Sequence, residues 1–547
     1  MINDLWYKNA VIYSLDVETF MDLDGDGIGD FAGLANRLDY LHALGVDTVW
    51  LAPFYPSPNK DNGYDVSDFY SVDPKLGSPG DFVSFIEQAN KRGIKVIVDL
   101  VVNHTSDRHP WFEESRSDPD SPRRDWYVWE KKRPANWNEG MVFPGVQKRT
   151  WTYDKKARAW YYHRFYHFQP DLNIDNPAVR DEIQKIMGYW IKLGVAGFRI
   201  DAVPFILEDV PHKGNGEIRF EYLRGMRRFA QWRRGDSILL GEANVVPEES
   251  QKYFGAEGEG IHMMFNFYVN QYLFYALATG DATKLTEAIE KTRIDFPNSQ
   301  WAVFLRNHDE LDLGRLTDKE RQAVFAAYAP EKRMQLYNRG IRRRLPTMLG
   351  NRQQIELAYS LMFSLPGTPV IRYGDEIGMG DNLSLKERNA VRTPMQWSDD
   401  HQAGFSTASK LVHPVVDKGP YSYHHVNVEA QRRAEGSLLQ WMTKMIRLRQ
   451  ECTEIGWGEW EIVDTGFESV LCMHYLYQES SLFILHNFAS ETVEVPLKIR
   501  MHDEFELVDL FMVEGVKADE KGVHRICLDA FGYRWFRAGG LSHLLKE

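Results

Sequence analysis

Eight short apolar runs, each followed by a segment of helical periodicity, constrain this chain more than any other feature. They are Val11–Leu15, Asp47–Pro53, Lys95–Val102, Gly197–Val203, Ser237–Asn244, Met263–Phe267, Trp301–Asp309 and Thr368–Glu376. Short, continuous, β-branched runs of this kind are strands buried on both faces. Between them, stretches such as DFAGLANRLDYLHALGV and PGDFVSFIEQANKRGI space their apolar residues as a helix does and end near a glycine suited to a C-cap. Strand–helix alternation builds parallel βαβ units, and eight units predict an α/β fold of the closed (β/α)8 kind. An open doubly wound sheet is the other solution, but no glycine-rich phosphate turn follows the first run.

A chain of 547 residues exceeds one ordinary core, and two departures from the barrel pattern divide it. Ordinary loops of α/β units run about 2–6 residues. The stretch 104–173, rich in Trp, Pro, Arg and Tyr, is far longer and predicts a subdomain inserted after the third strand. From Trp457 onward, SVLCMHYL, SLFILHNF, TVEVPLKI, FELVDLF and HRICLDAFGYRWF are strand-like and separated by turn residues, which predicts a C-terminal antiparallel β-sandwich. The expected domains are 1–103 and 174–456 for the barrel, 104–173 for the insertion and 457–547 for the sandwich.

The net charge of −13 disfavours a phosphate-backbone partner, and RGIRRR (Arg339–Arg344) is expected to be a solvated or salt-bridged helix face. No apolar run is long enough for a bilayer, and the N-terminus lacks the pattern of a secretory leader. Three cysteines outside any CxxC or Cys/His cluster suit a reducing cytoplasm. Aromatic residues reach 13%, in keeping with a ligand that, like a sugar, presents flat apolar faces. The oligomeric state is left open, a homo-oligomer included.

Barrel enzymes carry their chemistry at the C-terminal ends of the strands, and here those ends are polar. The third ends at Asn103 and His104, the fourth carries Arg199 and Asp201, the fifth Glu242, and the seventh His308 and Asp309. A lone Asp after a strand is usually a cap or turn former. Three carboxylates with an arginine and two histidines, converging from four strands, suit glycoside cleavage. One carboxylate attacks the anomeric carbon, and a carboxylic acid protonates the leaving oxygen and later takes a proton back. Arg199 and Asp201, two apart, point to one face, so the guanidinium favours an ionised Asp201. Nearby carboxylates and burial should keep Glu242 protonated. A structural Arg199–Asp201 ion pair is the alternative.

These residues lie in DLVVNHTS (Asp99–Ser106), GFRIDAV (Gly197–Val203), GEAN (Gly241–Asn244) and FLRNHDE (Phe304–Glu310). In that order, with QPDLN (Gln169–Asn173), they resemble the five signature regions of the α-amylase superfamily, over residues 5 to 540 or so. The resemblance implies Asp201 as nucleophile, Glu242 as acid/base and Asp309 as transition-state stabiliser. It implies that His104, Gln169, Arg199 and His308 line the pocket of the glucose whose bond is cut. DNGYDVSDFY (Asp61–Tyr70) and VRTPMQW (Val391–Trp397) resemble the branch acting on small α-glucosides from the non-reducing end. There Asp61 and Arg392 would pair around the terminal glucose and Tyr64 would stack on it. Within that branch the likeness is greatest to isomerases interconverting maltose and trehalose, carried by HRFYHFQPDLNIDNPAVR, WAVFLRNHDELDL and SLPGTPVIRYGDEIGMGDN. This chain departs from them at ILEDVPHKGNGEIRFEYLR after the fourth strand, and at Arg372, where an aromatic is common. Both departures touch the second sugar and so the choice between isomerase and hydrolytic α-glucosidase.

DLDGDGIGD (Asp22–Asp30) alternates carboxylates with glycines, which suits Ca2+ bound by Asp22, Asp24, Asp26, Asp30 and the Ile28 carbonyl; an acidic surface turn is the alternative. The resemblance also implies a calcium at this loop and a second site at Asn103, Asp171 and Glu208. Both ions would be structural, and no organic cofactor is expected.

Overall fold

The computed structural model describes residues 3–208, 218–499, 506–512 and 514–538. All eight runs become barrel strands: Ile12–Leu15, Thr48–Leu51, Lys95–Leu100, Gly197–Ile200, Ile238–Gly241, Met263–Phe265, Gln300–Phe304 and Thr368–Arg372. They pair in parallel in chain order, and the first pairs with both the second and the eighth, which closes the barrel. Ile12, Trp50, Ile97, Leu240, Phe265 and Phe304 fill the lumen. Burying each such side chain stabilises by about 1.5–3 kcal/mol.

The helices follow from their sequences as directly. Over Pro79–Lys91, Ser78 and Asp81 form a capping box, and Phe82, Phe85, Ile86 and Ala89 make the buried stripe. Gly93, at φ 74°, follows its last turn in a conformation that favours glycine.

After the third strand, the insertion folds as a helix, Pro110–Ser117, and a three-stranded antiparallel sheet of Trp129–Glu130, Ala159–Tyr162 and Trp151–Asp154. Bridges His104–Asp171 and Tyr127–Leu172 tie its return to the barrel mouth. A second excursion follows the seventh strand. Leu311–Asp312, Gln335–Leu336 and Gly340–Ile341 form a small sheet, with the helix Asp318–Tyr328 between. The basic cluster ends this excursion and is not a helix face. Arg342 donates to the Leu383 and Leu385 carbonyls, Arg343 faces Asp381, and Arg344 donates to the Tyr373 carbonyl. These arginines are consumed by carbonyls and acids that staple the excursion to the loop after the eighth strand.

The C-terminal strands form a six-stranded antiparallel sheet and a two-stranded one, Val493–Lys498 with Val523–Leu528. Cys472, Phe483, Leu485 and Phe536 of the first pack on Val495, Leu497, Ile526 and Leu528 of the second. Among the described residues no helix is long and apolar enough to cross a membrane.

Candidate active site

The carboxylates are placed by the barrel's own ladder. Asp99 and Arg199 are register partners on the third and fourth strands. One rung beyond, the Asp201 N–H donates to the Leu100 carbonyl (3.2 Å) and the Glu242 N–H to the Ile200 carbonyl (3.0 Å). Both acids therefore leave the barrel in fixed directions, side by side. Ala202 then turns with φ 50°, left-handed for a residue with a Cβ, at a cost of about 1–2 kcal/mol. That turn lets its N–H donate to Glu242 Oε2 at 3.2 Å, so the strain serves the site.

One guanidinium holds three carboxylates. Arg199 Nη1 donates to Asp99 Oδ1 (2.6 Å) and Asp201 Oδ1 (2.7 Å), and Nη2 lies 2.7 Å from Glu242 Oε2. Asp201 and Glu242 thus share one guanidinium clamp at the barrel mouth. One positive charge does not neutralise three acids, so burial dominates. It pushes Glu242 up to about 7 and Asp201 up to about 6; Arg199 opposes the rise in each, and neighbouring carboxylates add to it. Arg199 therefore does not hold Asp201 low, as its sequence position suggests, because its charge is divided. Both carboxyls are raised by the same burial, and the guanidinium they share ties their titrations together.

Asp309 differs. Burial raises its carboxyl, but Arg388 and Arg392 outweigh burial and hold it ionised. Arg388 Nη1 and Arg392 Nη2 donate to Asp309 Oδ1 at 2.7 and 2.9 Å. His308, kept neutral by burial, stacks on Tyr64 and shares a 2.8 Å hydrogen bond with its hydroxyl.

The expected Asp61–Arg392 pair is not formed. Asp61 Oδ1 accepts from Arg388 Nη2 at 2.7 Å and Oδ2 from Gln169 Nε2 at 3.0 Å. Arg392 is turned inward, with Nε on the His308 carbonyl at 2.8 Å. Arg388, which sequence reasoning missed, therefore bridges Asp61 and Asp309. No spacing signal marked it: Arg388 lies in the 3-10 turn Glu387–Val391 and Arg392 caps that turn outside helical geometry, so their shared acid is set by packing.

A cavity of about 720 Å³ opens at the barrel mouth. Asp61, Tyr64, His104, Gln169, Asp201, Glu242, Asp309 and Arg388 line its inner part, and Phe143, Phe165 and Phe205 give it an aromatic wall. Arg199, His308 and Arg392, expected to line the pocket, are buried behind its lining acids and Tyr64, with their polar atoms occupied by acids, carbonyls and the Tyr64 hydroxyl. Arg372, the departure on the eighth strand, is buried against Asp16. Of the divergent segment after the fourth strand, 209–217 lie outside the described residues.

The raised Glu242 value carries a stability signature. The folded protein binds this proton more tightly than the unfolded chain. The penalty is absent below about 4.5, grows as pH rises to about 7, and is complete above it. That gap corresponds to about 3 kcal/mol. Glu242→Gln should therefore raise the unfolding midpoint more at pH 8 than at pH 5; an equal change at both would show that the carboxyl is not raised.

The acidic loop brings Asp22, Asp24 and Asp30 together, one carboxylate oxygen of each within 4.8 Å of the others. Asp26 does not join them; its carboxylate accepts from the Ile28 N–H at 2.8 Å. Asp24 lies above its ordinary range: the Asp26 N–H favours its anion, but slight burial and the charges of Asp26, Asp30 and Asp22 outweigh that bond. A cation fits such a cluster. At the second expected site, Asn103 and Asp171 are buried. Burial pushes Asp171 up to about 7; the Arg164 backbone N–H donates to Asp171, and the Arg164 guanidinium pairs with Glu208. With Glu208 turned to Arg164, these three residues do not form a free oxygen cage.

Residues 15–342 and 331–458 match the family described as alpha amylase, catalytic domain, and residues 480–537 match the sucrose hydrolase-like C-terminal domain. The chain is 42% identical to a trehalose synthase of Thermus thermophilus over 98% of its own length and 56% of that protein's, so it spans little more than half of this relative. It is 41% identical to a trehalose synthase of Pimelobacter sp., covering 97% of this chain and 96% of that one. Among solved structures, trehalose-6-phosphate hydrolase of Bacillus licheniformis superposes with a TM-score of 0.78 at 26% identity, over 98% of this chain and all of that one. Barrel, carboxylate constellation and sequence agree, and the chain belongs to the α-amylase family.

Proposed function

We propose that this chain is a retaining transglucosylase that isomerises maltose and trehalose. Asp201 attacks the anomeric carbon of the non-reducing glucose while Glu242 protonates the glycosidic oxygen, giving a glucosyl-enzyme and a glucose held in the pocket. That glucose re-attacks through its anomeric hydroxyl instead of its 4-hydroxyl. Glu242, now a carboxylate, takes the proton, and the Asp201 ester bond breaks. Asp309, held ionised by two arginines, stabilises the oxocarbenium-like transition state.

The observation that carries this reading is the Asp61–Arg388–Asp309 bridge at the cavity's inner part, where it would stop the pocket after one terminal ring. An open cleft for long chains has no such stop. The likeness to the Pimelobacter trehalose synthase over nearly both whole chains supports isomerisation over hydrolysis. Maltose and trehalose, incubated separately and chromatographed, should approach one common mixture with little free glucose. Glucose alone from both would make the protein a hydrolase, and rapid internal cleavage of soluble starch would defeat the closed pocket.

We also propose a structural Ca2+ at Asp22, Asp24 and Asp30, supported by their convergence and mutual repulsion. A chelator should lower the unfolding midpoint, and Asp24→Asn should abolish that sensitivity. An unchanged midpoint would leave the loop an acidic turn.

A further inference from the structure

We infer that Glu387, clasped by Tyr166 and Tyr337, is a positioning residue for Arg388, the guanidinium that joins Asp61 to Asp309. Through it the inner end of the pocket depends on three separate excursions meeting. Tyr166 belongs to the insertion after the third strand, Tyr337 to the turn between Gln335–Leu336 and Gly340–Ile341 after the seventh, and Glu387 to the loop after the eighth. Both phenol hydroxyls donate to one oxygen, Glu387 Oε2, at 3.1 and 3.2 Å. None of the three lines the cavity, so they act on substrate only through groups that do.

Those groups are Phe143 and Arg388, which do line the cavity. The Phe143 ring stacks on Tyr166 with centroids 4.9 Å apart and leans on Tyr337 at the same distance. The Arg388 guanidinium lies 5.3 Å from the centre of the Phe143 ring, within cation–π reach. Arg388 is thus held twice from behind. Its chain neighbour is bound by two tyrosines, and the ring it packs on is braced by the same two. The backbone agrees. Tyr337, Asn338 and Glu387 have φ of 52°, 60° and 43°, left-handed for residues with a Cβ. Such backbone persists only where its surroundings over-determine it, and it clusters where a site needs it. Here two of the strained positions are the ones whose side chains meet, across 50 residues of sequence, and one of them is next to the bridging cation. The inference rests on the proposed role of Arg388 at the terminal glucose, and its test separates the two.

A double-mutant cycle on kcat/KM tests it, with nitrophenyl α-glucoside, which a glucosidase and a transglucosylase both cleave. Tyr166→Phe/Tyr337→Phe keeps both rings and removes both hydroxyls. It should lower kcat/KM by about tenfold, the scale of two lost hydrogen bonds. Glu387→Ala should do the same. Glu387→Gln keeps an oxygen for both phenols and should stay within about threefold of the unmodified protein. In Arg388→Ala protein none of these changes should lower kcat/KM further, because the group they position is gone. Equal losses with and without Arg388 would make the clasp a general staple between loops and overturn the inference, as would full activity in the double tyrosine variant. Arg388→Ala protein that cleaves as fast as the unmodified chain would instead sink the closed-pocket reading on which the inference stands.

Discussion

Replacing Asp201 by Asn should lower maltose turnover by at least about 10⁴-fold, the scale seen when a covalent nucleophile is removed, and should leave the protein folded. The Asn amide keeps a carbonyl oxygen for Arg199 Nη1, now 2.7 Å from the carboxylate. Glu242→Gln should be nearly as damaging on maltose, whose leaving oxygen needs a proton, but differs on a glucoside whose leaving group needs none. There Glu242→Gln should release one equivalent rapidly as the glucosyl-enzyme forms, while Asp201→Asn should release nothing. Rapid-mixing measurement of that first equivalent separates the roles; its loss in both variants would overturn them.

The second large effect concerns Arg388. Its two nitrogens hold Asp61 and Asp309 at 2.7 Å each; its removal leaves buried Asp61 without a cation and Asp309 with Arg392 alone. Breaking a buried pair costs about 3–5 kcal/mol, so Arg388→Ala should lower kcat/KM for every small glucoside by about 10²–10³-fold. The ratio of isomerised to hydrolysed product should change little, because the acceptor side is untouched. Arg392→Ala leaves Asp61 its partner and should raise KM less. Steady-state kinetics on maltose and trehalose check both. Arg388→Ala within tenfold of the unmodified protein, with Arg392→Ala far below it, would restore the Asp61–Arg392 pairing read from the sequence.

That pairing marks the limit of what the chain disclosed. The barrel was legible because a strand buried on both faces writes an unbroken apolar run, and all eight runs fell in strands. Their ends were set up to five residues late, as at Trp301–Asp309 against Gln300–Phe304, because the segment beyond the ladder bears the functional residues. The acids were legible by position and type. The reason read for an ionised Asp201 was partly wrong, since one guanidinium shared three ways cannot depress any one of them far. Which arginine meets which acid was not legible, for side-chain direction on a short helical segment is decided by packing. The excursion after the seventh strand was missed because its strands are two residues long and carry no period.

The inner end of the pocket joins residues 61, 309, 388 and 392, and the eighth strand closes the barrel only at Thr368–Arg372. The site is therefore completed only after the eighth strand has been made, ahead of the helix Leu438–Glu451. A ribosome that has delivered the nucleophile, the acid and even Asp309 has delivered no working pocket, because the cation that binds Asp61 to Asp309 has yet to emerge. Unfinished chains expose lumen side chains as an open, adhesive sheet and lack the cation between Asp61 and Asp309. The wide separation in sequence that slows barrel closure also defers reactivity until the closed inner end can select its substrate.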